Sequence, residues 1–438
     1  MHFPRLLIPL FILLSGIVDA QQMRYCIPER FSQNEVFTDL EIAKDTDIVY
    51  GYSFNPFTNS YKVLTMNIYY PLAALDTMQQ RPFILLAHGG SFINGNINTQ
   101  EYLCAEYAKR GFVSASINYR EGWNCLNPFT VCDYCVNDTS SLRVATYMAV
   151  QDVRAALRFM AGNATGWKVN PDWFFVGGAS AGSIATFQAA IWTQAQANLF
   201  SPIAAGMVGL LDTAGNAFPV NYSIRGISDN CGAIVDDSNL VSQLTIPLIS
   251  FSDEYDCVMP SDQGHLFGCN CSSFYKVYGA GFIHERMQAA GGCTELNTLL
   301  GSTGHCYFPP QTIVERTACF FKRVMCEVCE SDTNTNPNYT RPCNTLATGI
   351  EFGLDDFSFS ISPVPVDELL TISFSEHARH GGVLRCINAL GQPVFSQAYP
   401  YMTQKLEIST SGFSSGVYFL IFENNQSSSS LKMMIIHP

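Results

Sequence analysis

The segment Gly178-Ala179-Ser180-Ala181-Gly182 stands between the apolar run Trp173-Phe174-Phe175-Val176 and a helix-forming stretch from Ser183 to Gln196. A strand that becomes a helix across such a short joint needs small residues at the turn. The turn lifts the Ser180 hydroxyl over the edge of the sheet. The helix N-terminus behind it favours developing negative charge. The chain must therefore supply strand and helix units in alternation around this joint.

It does so. Tyr61 to Tyr70 alternates apolar and polar residues and reads as a strand. Pro82 to Ala87 and Val113 to Asn118 are continuous runs, as expected of strands buried on both faces. Ala145 to Ala161 carries helix spacing, with Val150, Val153, Leu157 and Met160 on one face. Ala204 to Leu211 and Pro247 to Phe251 read as further short strands, and Thr312 to Val324 as a closing helix. The expected fold class is α/β, a mostly parallel doubly wound sheet. From Asp355 onward the pattern changes to short alternating strands: Phe357–Ile361, Leu369–Phe374, Gly382–Ala389, Lys405–Ile408, Val417–Phe422 and Leu431–Ile436. These predict a small all-β sandwich over residues 357–438, separated by a polar linker at 331–356 from a main domain at 21–330.

Hydrophobic residues make up 47% of the 438-residue chain and charged residues 14%, which excludes a mostly disordered chain. The net charge of −13 argues against nucleic acid or an anionic membrane as the main partner. Residues 1–20 have a basic start, an apolar run from Leu6 to Val18 and the small-x-small pattern Val18-Asp19-Ala20. This is the layout of a signal peptide and is short for a membrane span; no transmembrane segment is expected elsewhere. In an exported chain, sixteen cysteines predict disulfides whose pairing the sequence leaves open. Cys132-x-x-Cys135 and Cys326-x-x-Cys329 would each make half a zinc site, but they lie far apart, no histidine pair accompanies them, and export favours oxidised sulfur. No metal or organic cofactor is expected. Fifteen cysteines precede residue 350 and one follows it, which leaves at least one thiol without a partner.

A serine nucleophile requires a base, and the base requires an orienting carboxylate. Asp253, Glu254 and Asp256 follow the Pro247 strand, with Asp256 in an Asp-x-x-x-Pro setting and Asp253 in reserve. Of His265, His284 and His305, the last lies in the glycine-containing loop before the closing helix and is the candidate base. The order Ser180, Asp256, His305 is that of one class of serine hydrolase alone. His88-Gly89-Gly90-Ser91-Phe92 directly follows the Pro82–Ala87 strand. There Gly89 or Gly90, with Ala181, could present backbone N–H groups to an oxyanion, while His88 reads as a brace.

These residues resemble the α/β-hydrolase superfamily, especially its carboxylesterase and lipase-like branch, over roughly residues 50 to 325. His88 to Phe92 looks like its H-G-G-G-F loop with Ser91 at the third glycine. Asn118-Tyr119-Arg120 looks like its N-Y-R, Asp152 to Leu157 like its D-x-R-A-A-L helix, and Gly178 to Gly182 like its G-x-S-A-G elbow with Ala179 at a position often acidic. Residues 357–438 resemble the C-terminal sorting domain of the bacterial type IX secretion system. The likeness rests on Ser362 to Ile372, Asn388-Ala389-Leu390-Gly391-Gln392 and Ser415-Gly416-Val417-Tyr418. The resemblance implies an exported or cell-surface serine hydrolase of carboxylic esters, with an ester substrate and the type IX machinery as partners. A serine peptidase of the same fold, or an inactive binding protein that keeps it, are the alternatives; a carbohydrate-binding or adhesion sandwich is the alternative for the C-terminal domain. Glu121 to Leu142 reads as an insertion, either a flap over the pocket or a stapled surface loop.

Overall fold

The computed structural model describes residues 25–435 apart from 28, 126–138, 236–243, 269–273, 339–342, 344–351, 355–356, 364–365, 367, 375–381, 389–391, 401–404 and 424–427. The chain divides into two compact units, Arg30–Arg341 and a second that contains Pro342–Pro438. Among the described residues no helix is long and apolar enough to cross a membrane. The signal peptide expected at 1–20 and the cysteines Cys132 and Cys135 lie outside the described residues.

The first unit is built on β1 (Ile42–Asn55), β2 (Ser60–Pro71), β3 (Arg81–Ala87), β4 (Val113–Ile117), β5 (Val169–Ala179), β6 (Ile224–Asn230), β8 (Leu248–Asp253), β11 (Thr294–Leu299) and β12 (Asp332–Asn334). They form one sheet in the order β1-β2-β4-β3-β5-β6-β8-β11-β12. β1, β2 and β4 pair antiparallel, and every pairing from β4 onward through β3 to β12 is parallel. The helices are α1 (Glu101–Lys109), α2 (Thr139–Gly162), α3 (Ala181–Ile191), α4 (Gln194–Phe200), α5 (Ala204–Val208), α6 (Ala280–Ala289) and α7 (Pro310–Met325). A small antiparallel sheet joins β7 (Ala233–Val235), β9 (Gln263–His265) and β10 (Lys276–Gly279). Every residue of β3 and β4 is buried, because α1 with α7 and α2 with α3 cover the sheet. This is the α/β-hydrolase fold.

Three local readings of the sequence are corrected. Ala204–Leu211 forms no strand; residues 204–208 make the short helix α5, stopped by Gly209 at φ 82°. The neighbouring strand is instead β6, which the hydrophobic pattern hides because Gly226, Ser228 and Asp229 stand in its buried centre. A side chain at Gly226 would press on Phe175 and Phe321, so the strand has no room for an apolar residue there. The helix expected over Ser183–Gln196 breaks after Ile191, because Thr193 and Gln196 form a capping box that starts α4. Residues 332–334, read as linker, add an edge strand beside β11.

The second unit packs two four-stranded antiparallel sheets. One holds β13 (Phe352–Leu354), β14 (Phe357–Ser362), β15 (Leu369–Phe374) and β18 (Lys405–Ser409); the other holds β16 (Gly382–Asn388), β17 (Pro393–Tyr399), β19 (Gly416–Glu423) and β20 (Ser428–Ile435). Its core contains Ile372, Leu384, Leu420 and Ile435 together with Cys386, a free thiol that burial pushes up to about 12. The Tyr418 hydroxyl donates to the Ser414 carbonyl at 2.8 Å, which gives the Ser-Gly-Val-Tyr motif a structural task.

Candidate active site

Ser180 sits at φ 53° and ψ −120°, a conformation sparsely populated for a side-chain-bearing residue. The joint needs it: β5 ends at Ala179 and α3 begins at Ala181. The Ser180 N–H donates to the Asn230 carbonyl of β6 at 2.9 Å, which holds the turn against the sheet. A Cβ at Gly182 would lie 2.2 Å from the Ala87 carbonyl oxygen, so glycine alone lets α3 pass that close to β3.

The loops after β8 and β11 bring the other expected residues to the same place. His305 Nε2 lies 2.8 Å from Ser180 Oγ, and His305 Nδ1 lies 2.6 Å from Asp256 Oδ2. A carboxylate only accepts, so Nδ1 carries the proton and Nε2 accepts from the serine hydroxyl. The other oxygen of Asp256 accepts from the Val258 and Met259 N–H groups at 2.8 and 3.0 Å. Asp253 does not reach the imidazole. It accepts from Ser302 Oγ at 2.6 Å and from the Tyr307 N–H at 3.0 Å, so it anchors the histidine loop. Glu254 accepts from the Gly301 N–H at 2.7 Å on the same loop. Cys306, next to His305, is bonded to Cys231, whose N–H donates to the Phe251 carbonyl of β8. His265 hydrogen-bonds the Phe274 carbonyl, and His284 lies in α6 between Thr294 and Thr333.

The glycine loop after β3 closes the other side. A Cβ at Gly89 would stand 3.3 Å from that of Ser180, and Gly90 adopts φ 125°. Among the described residues the backbone N–H groups of Gly89, Gly90 and Ala181 have no protein acceptor. His88 is buried and stacked on Tyr119, with Nδ1 2.8 Å from the Gly89 carbonyl; burial lowers its pKa, so it stays a neutral brace. Tyr119 donates to the His88 carbonyl at 2.7 Å. Arg120 reaches Asp152 Oδ1 at 2.7 Å, both fully buried, and joins the Asn-Tyr-Arg segment to α2. The motif residues beyond the serine are therefore the scaffold of the loop.

Asp229 is the polar residue that the sequence reading missed. It lies opposite Gly178 in β6 and accepts from Ser183 Oγ at 2.5 Å and the Gly232 N–H at 2.8 Å. Its other oxygen is buried without a partner, and desolvation raises its pKa to about 6. Its signal was concealed with the strand that carries it.

Cys231, His305 and Cys306 are the one cluster of metal-ligand type among the described residues, and the disulfide removes both thiolates from it. Cys329 pairs with Cys293, and Cys26, Cys125, Cys257, Cys319, Cys326 and Cys343 are also disulfide-bonded. Cys104 joins Cys386 as a free, buried thiol.

No curated protein matches the chain. Among solved structures it is similar to the propionate-bound esterase 2 of the planctomycete Thermogutta terrifontis, at 17% identity and TM-score 0.39 over 60% of this chain and 86% of that one. The apo form of that esterase gives 16% identity and TM-score 0.40 over 65% and 96%. MGS-M1, an α/β hydrolase enzyme from a Medee basin deep-sea metagenome library, gives 14% and 0.37 over 60% and 84%. Residues 360–437 match the family described as the secretion system C-terminal sorting domain.

Proposed function

We propose that the protein is an exported serine hydrolase that cleaves carboxylic esters through an acyl-enzyme. The observation that carries this reading is the hydrogen-bond relay from Ser180 through His305 to Asp256. Ser180 attacks the ester carbonyl as His305 takes its proton, and Asp256 holds the imidazole in the required tautomer and stabilises its cation. Gly89, Gly90 and Ala181 offer N–H groups to the tetrahedral oxyanion. The leaving alcohol takes the proton from His305, and a water activated by the same residue releases the acid. The match of residues 360–437 to the sorting family supports export through the type IX machinery, with residues 1–20 as signal peptide and an extracellular or cell-surface destination.

The test is hydrolysis of p-nitrophenyl esters from acetate to palmitate by the full chain beside its Ser180→Ala variant. Turnover falls to background in the variant, a loss on the order of 10⁴-fold or more. Equal turnover in both proteins refutes the assignment. Hydrolysis of peptides but of no ester replaces the esterase by the peptidase reading, and no turnover of either by a binding protein.

A further inference from the structure

Two cavities adjoin the turn that carries Ser180. The first is an apolar notch of about 20 Å³. Ser180 and Ala181 form its mouth, and Trp123, Leu142, Leu266 and Phe267 are among its walls. Those four side chains are nearly fully buried. Trp123 packs on Phe267 and Phe274 at ring distances of 5.7 and 5.5 Å, and its backbone N–H, with that of Gly122, donates to the Phe92 carbonyl. Space of this size holds about one water-sized group. A methyl fits, and each further methylene must either leave the notch or displace its packed walls.

The second cavity is an open cleft of about 540 Å³ that begins at Gly89 and Ala179, the residues beside Ser180 and its side chain. Asn94, Asn96, Thr99 and Gln100 line it, and no charged side chain does among the described residues. Gln100 is 5% exposed, and its Oε1 is buried without a hydrogen-bond partner. Asn96 Oδ1 is occupied by the Asn98 N–H at 2.9 Å, which leaves its amide nitrogen as a donor. An unpaired buried acceptor gains from a hydroxyl donor and nothing from an alkyl chain. Among the described lining residues a phosphate or carboxylate finds no cationic partner.

We propose that the substrate is an acetyl ester of a carbohydrate, with the acetyl methyl in the notch and the sugar hydroxyls in the amide-lined cleft. This rests on the serine-hydrolase reading above. Ser180 Oγ bonds to the acetyl carbon as its proton passes to His305, the bond to the sugar oxygen breaks, and that oxygen takes the proton. Water then attacks the acetyl carbon and gives a proton to His305, the bond from that carbon to Ser180 Oγ breaks, Oγ takes the proton from His305, and acetic acid leaves.

The experiment compares kcat/KM of the full chain on xylose tetraacetate, p-nitrophenyl acetate and p-nitrophenyl octanoate, with Leu266→Ala, Gln100→Leu and Asn94→Ala. Acetate is preferred over octanoate by about 100-fold, and Leu266→Ala narrows that gap by about tenfold. Gln100→Leu lowers the ratio of sugar acetate to p-nitrophenyl acetate by about tenfold. Asn94→Ala, at an exposed position, lowers the same ratio and covers the case in which the Gln100 variant does not fold. Octanoate turned over as well as acetate overturns the acetyl assignment. A ratio unchanged in both cleft variants overturns the carbohydrate assignment. Failure on every ester, p-nitrophenyl acetate included, refutes the hydrolase reading itself.

Discussion

The Cys231–Cys306 disulfide ties the residue after His305 to the loop that leaves β6, and its removal separates two effects. The bond spans 75 residues. In the chain-entropy account, a loop of that length raises stability by about 4 kcal/mol through its restriction of the unfolded chain. In a unit of this size that corresponds to a fall of about 10 °C in Tm for Cys231→Ala/Cys306→Ala. The second effect is local. The histidine loop keeps its bonds from Ser302 and Tyr307 to Asp253 and the Phe251–Phe308 contact, so His305 loosens without leaving. A displacement of a fraction of an ångström at the base corresponds to a loss of about 10- to 100-fold in kcat. Cys293–Cys329 is the control. It spans 36 residues and sits at the start of β11, the strand end away from His305. Cys293→Ala/Cys329→Ala loses a similar stability, about 4 kcal/mol, with kcat on p-nitrophenyl acetate unchanged. Calorimetry and steady-state kinetics on both variants decide the matter. If the two pairs lower Tm alike and neither lowers kcat, the disulfide beside His305 is a staple only, and the positional argument is wrong.

Asp256→Asn leaves the site assembled but favours the wrong imidazole tautomer, and kcat falls by about 10⁴-fold with little change in KM; steady-state kinetics checks it. Asp229 has a folded-state pKa of about 6 against an ordinary 3.8, so the native state keeps a proton that the unfolded chain releases between those values. Its contribution to stability is therefore highest below pH 4 and is lost as pH rises to about 6. The stability of Asp229→Asn relative to the parent rises by about 2 kcal/mol between pH 4 and pH 7, measured by urea unfolding across that range. Arg120→Leu strands the buried Asp152 carboxylate and costs about 3–5 kcal/mol, seen as a lower urea midpoint.

The central strands were legible where burial on both faces is met by apolar residues, as in the runs Pro82–Ala87 of β3 and Trp173–Val176 of β5. β6 was not, because its buried positions are small and polar: Gly226 yields to two phenylalanine rings, and Asp229 holds the elbow helix through Ser183. Composition at one position carries no record of such a neighbour. The acidic loop shows the same limit. Asp253 and Asp256 are both carboxylates on one short loop, and the Asp-x-x-x-Pro setting that ranks Asp256 first carries no distance to His305.

By itself the sequence determined the strand-turn-helix joint around Ser180, the chain order of serine, acid and histidine, and the change from an α/β to an all-β pattern after residue 355. Those are consequences of periodicity and local turn chemistry. Only the tertiary structure decided that Asp256 faces His305 while Asp253 holds its loop, which cysteines meet, and how small the notch beside Ser180 is. The contacts that join Ser180, His305 and the two aspartates link residues 49 to 125 positions apart. Distances of that kind are set by the packing of the whole sheet and not by any stretch of chain.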